Sequence, residues 1–258
     1  MPTDEPRRSF DAAEINRILN DPGVFPAITK PGIETFDLTE FIRNPANYVL
    51  MVEGGGVIFA PDLPGSGLYE VHTNFLPDHR GNHAVHASLA CYRWMFTHTD
   101  CMMLQTRVPA FNKAAERFCK FVGASLWFER KDAWPTADGA CDVRFYVLSY
   151  MDWANKYAEP LIESGKAFHE RFEQECERLG QPNGFRHHDE LCHDLHVGAC
   201  AEMIYGGQPE KAVVVYNRWA RFAGYPQIAL LQRNPLVLDV GEGVIVVENN
   251  SFKVVKCR

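Results

Sequence analysis

Hydrophobic positions along this chain alternate between a period of two and a period near 3.6, and the changes of period mark out its elements. Asp11, with Glu14 three places on, predicts a short capped helix through Asn20 that Asp21-Pro22-Gly23 stops. Residues 33–43, between Pro31 and Pro45, read as another short helix. From Tyr48 the pattern becomes that of strands: 48–53, a turn at Gly54-Gly55-Gly56, 57–60 and 68–76. Pro77-Asp78-His79-Arg80-Gly81 breaks the alternation. A helix over 85–98 follows, and its Trp94, Met95 and Phe96 read as core. Then come a strand at 101–108, a helix opened by Asn112 and closed by Gly123, and two strands at 125–129 and 143–149 joined by a polar loop around 132–138.

Beyond Asp152-Trp153 the pattern starts afresh. A charged amphipathic helix over 165–179 leads through Gln181-Pro182-Asn183-Gly184 to a second helix over 187–205, ended by Gly206-Gly207. A third, over about 209–223, carries Tyr216, Trp219 and Phe222 as a buried stripe. Residues 236–256 read as two or three short strands turning at Gly241-Glu242-Gly243 and Asn249-Asn250. The expected organisation is a domain over 1–155 and a helix-plus-hairpin extension over 156–258. The sequence contains no repeat or low-complexity segment.

Composition narrows the classes. The 258 residues are 46% hydrophobic, enough for a sizeable core. The net charge of −7 gives no general attraction to nucleic acid or anionic membranes, so a nucleic-acid partner is disfavoured. No apolar run approaches the roughly 20 residues of a membrane helix. The start, MPTDEPRRSF, lacks the apolar core of a secretory signal, so a cytoplasmic location is expected. Eight cysteines without a CxxC pair are expected as reduced thiols, mostly core filler.

Chemistry concentrates between Glu70 and Gly123. A strand ending in a Gly-containing turn that feeds a helix is an anion site: free N–H groups and the positive end of the helix dipole face outward, and Gly81 permits close approach. Arg80 adds a full charge, and Lys113, Arg117 and Lys120 are further candidates for making an anion site locally basic.

The step Phe75-Leu76-Pro77, the Arg80-Gly81 turn and the later helix with Asn112, Ala115 and Gly123 resemble the acetyl-CoA-binding core of the GNAT superfamily of N-acetyltransferases, over about residues 20–150. That resemblance implies an α/β (α+β) fold: a mixed, mostly antiparallel sheet flanked by helices, with acetyl-CoA as co-substrate. It also implies that the central strands splay near Thr73, Asn74 and Phe75, where a backbone N–H polarises the thioester carbonyl. Arg80, Gly81, Asn82 and His83 would hold the diphosphate. Asn112 would bridge the pantetheine arm or simply cap its helix. Two departures stand out. His83 and Val85 occupy positions where the family has small residues, so an imidazole there crowds the diphosphate or donates to it. Cys119 stands where the family has its acid, a tyrosine, and is either packing or a substitute acid.

Transfer to an amine of pKa ~10 requires a base. Glu70 and His72 share a strand face with Asn74 and are the candidates. Farther on, His188, Cys192 and His196 fall at i, i+4 and i+8, with Asp189 and His193 on the adjacent face. Imidazole and thiolate suit zinc, but three ligands spread over two turns do not converge on one ion, so no metal site is expected and these histidines read as hydrogen-bonding or interface groups. The leading expectation is an acyl-CoA-dependent N-acyltransferase acting on an unspecified amine, its extension selecting the acceptor or a protein partner. The alternative is a non-enzymatic bacteriophage virion or assembly protein on a GNAT-like fold, favoured by His83, Val85 and Cys119.

Overall fold

The computed structural model describes residues 5–181 and 190–257. The chain folds as two compact units, one comprising residues up to Phe96 with Cys101–Tyr150, the other Thr97–Asp100 with the chain from Met151 onward. The boundary expected after residue 155 falls inside a helix, Tyr150–Tyr157.

The first unit opens with β1 (Arg7–Arg8), α1 (Ala12–Leu19), α2 (Phe25–Ile28) and α3 (Thr39–Arg43). Asp11 caps α1 by accepting from the Ala13 N–H, but Glu14 does not complete a capping box. Glu14 instead takes Arg7 Nη2 at 2.7 Å, while Ser9 Oγ accepts from the Asp11 N–H. The helix expected over 33–43 shrinks to α3 because Asn16 and Asn20 side chains bind the extended 36–38 segment by its backbone N–H groups and carbonyl.

The sheet follows: β2 (Tyr48–Val52), β3 (Gly55–Pro61), β4 (Leu68–Phe75), a single turn of 3-10 helix (Pro77–His79), α4 (Asn82–His98), β5 (Met103–Pro109), α5 (Lys113–Phe121), β6 (Ser125–Thr136) and β7 (Gly139–Ser149). Its strand order is β1-β2-β3-β4-β5-β7-β6, and every pair is antiparallel except β4 with β5. The sheet is therefore mixed and mostly antiparallel, as expected. The one parallel pair is joined by the α4 crossover, since parallel neighbours need a long connection. Ile15, Ile18 and Leu19 of α1 pack on Val49, Met51 and Ile58, which places one core between helix and sheet.

The hairpin of β6 and β7 is longer than its hydrophobic pattern. The loop expected around 132–138 contracts because β6 is an exposed edge strand carrying charges, which period-two counting of apolar residues misses. Lys131 pairs with Glu129 at 2.8 Å and Asp142 at 2.7 Å, and Arg144 pairs with Glu129 at 2.8 Å.

In the second unit α6 (Tyr150–Tyr157) leads to α7 (Glu159–Arg178), α8 (Glu190–Tyr205) and α9 (Pro209–Ala223), then to a four-stranded antiparallel sheet of β8 (Ala229–Arg233), β9 (Leu236–Asp239), β10 (Gly243–Glu248) and β11 (Ser251–Cys257) in the order β11-β10-β9-β8. The unexpected strand β8 is largely exposed and so carries no clear alternation. Tyr216 and Trp219 are buried on α9, but Phe222 is exposed: six residues on from Tyr216 it has turned ~240° around the helix. Phe172, Leu238, Ile245, Phe252 and Val254 form the core against α7. Here one expectation fails. Cys176 of α7 and Cys257 of β11 are joined in a disulfide, because the fold lays the last strand beside a helix 81 residues earlier.

Candidate functional site

The parallel pairing of β4 with β5 lasts for three residue pairs, from Leu68–Met103 to Glu70–Gln105. Beyond it β4 stays with β3 as far as Phe75, and β5 stays with β7 as far as Pro109, so the two strands part between them. A cleft of about 170 Å³ opens in the gap, bordered by His72, Thr73, Asn74, Tyr92, Arg107 and Tyr146 among others. A groove of about 350 Å³ lies between the end of β4, the start of α4 and α5. Thr73, Ala115 and Phe118 border both.

The groove has the features of an anion site. The first bond of α4 runs from the Val85 N–H to Gly81 O at 3.2 Å, so the preceding N–H groups of the first turn have no acceptor within the helix. Gly81 holds φ at 69°, which favours glycine, and a methyl group in place of its hydrogen would meet nothing within 4 Å. Gly81, Asn82 and Arg80 line the groove on one side, with Arg117 of α5 also on its wall. Arg80 is nevertheless committed elsewhere. Its Nε donates to Phe75 O at 3.2 Å and its Nη2 to Gly23 O at 2.5 Å, which ties the end of β4 to the loop after α1.

His83 corrects an expectation in both of its forms. Its Nε2–H donates to Glu53 O at 2.9 Å, and its ring packs edge-on against Phe75 and His79. The imidazole neither crowds the groove nor remains available through Nε2 as a phosphate donor, since Glu53 O already occupies it. What His83 offers an anion is the backbone N–H of the first helical turn. Val85 does line the groove.

In the cleft, Arg107 of β5 grips Glu70 with two nitrogens at 2.6–2.8 Å, and His72 Nε2 lies 3.2 Å from the same carboxylate. Burial by itself raises the carboxyl, but hydrogen bonds from His72 and Arg107 outweigh it and hold Glu70 at about 2. A carboxylate held that low is a poor proton acceptor. Of the two candidate bases, that leaves His72, whose Nε2 faces the Glu70 carboxylate, which orients its ring. Asn74 is buried, and its Nδ2 has no hydrogen-bond partner among the described residues. Asn112 caps α5, accepting from the Ala115 N–H at 3.0 Å, while also bordering the cleft.

Three protic groups face the same space. Tyr92 OH is 3.4 Å from Thr73 Oγ1, Tyr146 OH donates to Glu116 Oε1 at 3.2 Å, and Cys119 is buried beside Tyr146. Burial raises all three, Cys119 and Tyr146 to about 12. Arg107, Tyr92 and Tyr146 were not singled out in the sequence. Arg107 alone had a signal there, as the one charge in the strand Met103–Pro109. The tyrosines reach the cleft through the register of β7 and the packing of α4.

The histidine-rich face in the second unit does not assemble as the helical spacing suggested. Cys192 Sγ points to Met151 Sδ at 3.9 Å, and His196 donates from Nδ1 to Cys192 O at 2.9 Å and stacks on Trp219 at 4.0 Å. His188 and Asp189 lie outside the described residues.

No family model matches the chain, and no curated protein matches it. Solved structures similar to it include a spermidine N-acetyltransferase SpeG of Vibrio cholerae, 14% identical over 58% of this chain and 98% of that one, with a TM-score of 0.49. A GNAT-family acetyltransferase of Bacillus anthracis is 18% identical over 45% of this chain and 74% of that one, with a TM-score of 0.38. RimL, a ribosomal L7/L12 alpha-N-protein acetyltransferase in complex with coenzyme A, is 14% identical over 40% of this chain and 60% of that one, with a TM-score of 0.36.

Proposed function

We propose that the first unit binds an acyl-CoA, acetyl-CoA in the simplest case, and transfers its acyl group to an amine. The observation that carries this reading is the parting of β4 from β5 around Asn74, a buried amide with an unused donor, beside a groove that runs to the N-terminus of α4. A buried donor without a partner is destabilising by about 1–3 kcal/mol, so its retention in a cleft favours a ligand that accepts from it. The groove fits an anionic end and the cleft a narrow polar chain. Gly81, Asn82 and the first-turn N–H groups would take the diphosphate with Arg117 supplying charge, and Thr73, Asn74 and Phe75 would meet the amide-containing arm.

When bound, an acyl-CoA supplies an activated acyl group. The chain's own residues do the rest. His72, with Nε2 directed to Glu70, has Nδ1 for the proton of an incoming ammonium group, and Arg107 keeps Glu70 ionised so that it orients the ring. Tyr92, next to Thr73 on the parted strand, is the donor assigned to the leaving sulfur, since Tyr146 is committed to Glu116. Burial raises the Tyr92 hydroxyl, so it stays protonated and can stabilise the departing sulfur by donating a hydrogen bond to it.

Calorimetric titration with CoA and acetyl-CoA tests the binding step. Wild type should bind, and Asn74→Leu and Arg117→Ala should each bind about tenfold or more weakly with a melting temperature no lower than that of wild type. No wild-type binding at millimolar CoA removes the reading. It would favour the second one, a non-enzymatic virion or assembly module of the same fold, to which Cys119 in place of an acid also points; a stoichiometric protein partner should then be recovered from the native source.

A further inference from the structure

The second unit holds a cluster of chemistry-bearing groups that the acyl-transfer reading leaves unused. Helices α7 and α8 touch backbone to backbone: a methyl group on Gly165 would lie 1.9 Å from Asp194 O, and one on Gly198 would lie 1.9 Å from Leu161 O. That closeness brings His169, one turn beyond Gly165, against Asp194. His169 Nδ1 lies 2.7 Å from Asp194 Oδ1, with both side chains mostly buried, at 14% and 5% exposure. The His193 ring stacks on that of His169 with centroids 4.9 Å apart. One ligand atom from each of His169, His193 and Asp194 lies within 4.8 Å of the others.

We propose that His169, His193 and Asp194 bind one divalent transition ion of the zinc class. The donor set suits it: two imidazoles and a carboxylate are ordinary zinc ligands at ~2.0–2.2 Å, and three protein ligands with one open position is the pattern of a reactive rather than a purely structural site. Those donor atoms, within 4.8 Å of one another, would close to ~3.3 Å in tetrahedral coordination. A cavity of about 50 Å³ adjoins His169 and His193, bordered also by Tyr216, Cys200 and Glu242. It has room for a water as fourth ligand, which needs only ~10–15 Å³. The carboxylate gives the site one negative charge to set against the ion.

This site differs from the one that helical spacing suggested. The i, i+4, i+8 face of α8 points its described members elsewhere, whereas His193 and Asp194 are consecutive and meet a histidine from another helix. A ligand set drawn from two helices converges where a single helix face cannot.

The test uses the full chain without an affinity tag, stripped with chelator and then loaded with Co²⁺ or Zn²⁺. Elemental analysis after desalting should give about one zinc per chain, and the Co²⁺ form should show the visible absorption of four-coordinate cobalt. Asp194→Asn and His169→Ala should each weaken zinc binding at least 100-fold, while His86→Ala, exposed on α4, should keep it. Zinc should raise the wild-type melting temperature and leave that of Asp194→Asn unchanged. Wild type that retains less than 0.2 zinc after loading at about 10 μM free ion, or variants that bind as tightly as wild type, would overturn the proposal. Should the variants fail to fold, the wild-type cobalt spectrum decides: absence of a four-coordinate signature counts against it as firmly as absence of metal.

Discussion

Replacing Arg107 by methionine removes the fork that holds Glu70 while keeping most of the side chain's apolar stem. The carboxyl falls from its ordinary 4.5 to about 2, and at ~1.4 kcal/mol per decade of proton affinity the net preference for the ionised form, after burial has taken its share, is ~3 kcal/mol before solvent screening. Arg107 is 47% exposed and water screens part of its attraction, and His72 remains, so the expected loss is ~1–2 kcal/mol near neutral pH. The sign with pH follows from the depressed value. Glu70 contributes its stabilisation above about 4.5 and loses it as pH falls toward 2. In Arg107→Met the burial of the carboxyl is less compensated, its pKa rises, and acidification costs the variant less. Urea unfolding followed by tryptophan fluorescence between pH 7 and pH 3 should therefore show a gap between wild type and variant that is widest above pH 5 and narrows toward pH 3. Arg107→Lys should recover part of it. A gap that stays constant across this range would refute the reasoning and make Arg107 a packing residue.

Gly165→Ala, which in an ordinary helix interior gains ~1 kcal/mol, should here destabilise the protein by ~2 kcal/mol or more, because the new methyl meets a backbone carbonyl that cannot rotate away; thermal melts check it. Tyr92→Phe should lower turnover of acetyl-CoA with a competent amine about 10- to 100-fold with little change in KM; unchanged kcat would remove Tyr92 as the donor to the leaving sulfur. Cys119→Ser should leave turnover within tenfold, since the thiol packs beside Val108 and Tyr146; abolition in a stopped thiol-release assay would make this thiol the acid.

Much of the fold was legible because it is local. The continuous apolar run at Tyr48–Val52, the alternating run at Leu68–Phe75, the Arg80-Gly81 break, the Asn112 cap and the amphipathic run of α9 each depend on residues a few places apart, so hydrophobic pattern and capping chemistry specify them in the sequence itself. Where polarity and structure part company the pattern fails: β6 is charged on an exposed edge, and β8 is mostly exposed. The site divides the same way. The turn proposed to take an anion is a short stretch of chain and could be recognised, but the partners of each group were decided by residues far away in sequence. Glu53, thirty residues from His83, takes that ring out of the groove, and Gly23 takes Arg80's charge. Arg107, thirty-seven residues from Glu70, turns a candidate base into a fixed anion. The disulfide between Cys176 and Cys257 and the meeting of His169 with Asp194 follow the same rule, since which donors share a space depends on helix crossing and strand order, which no local period encodes.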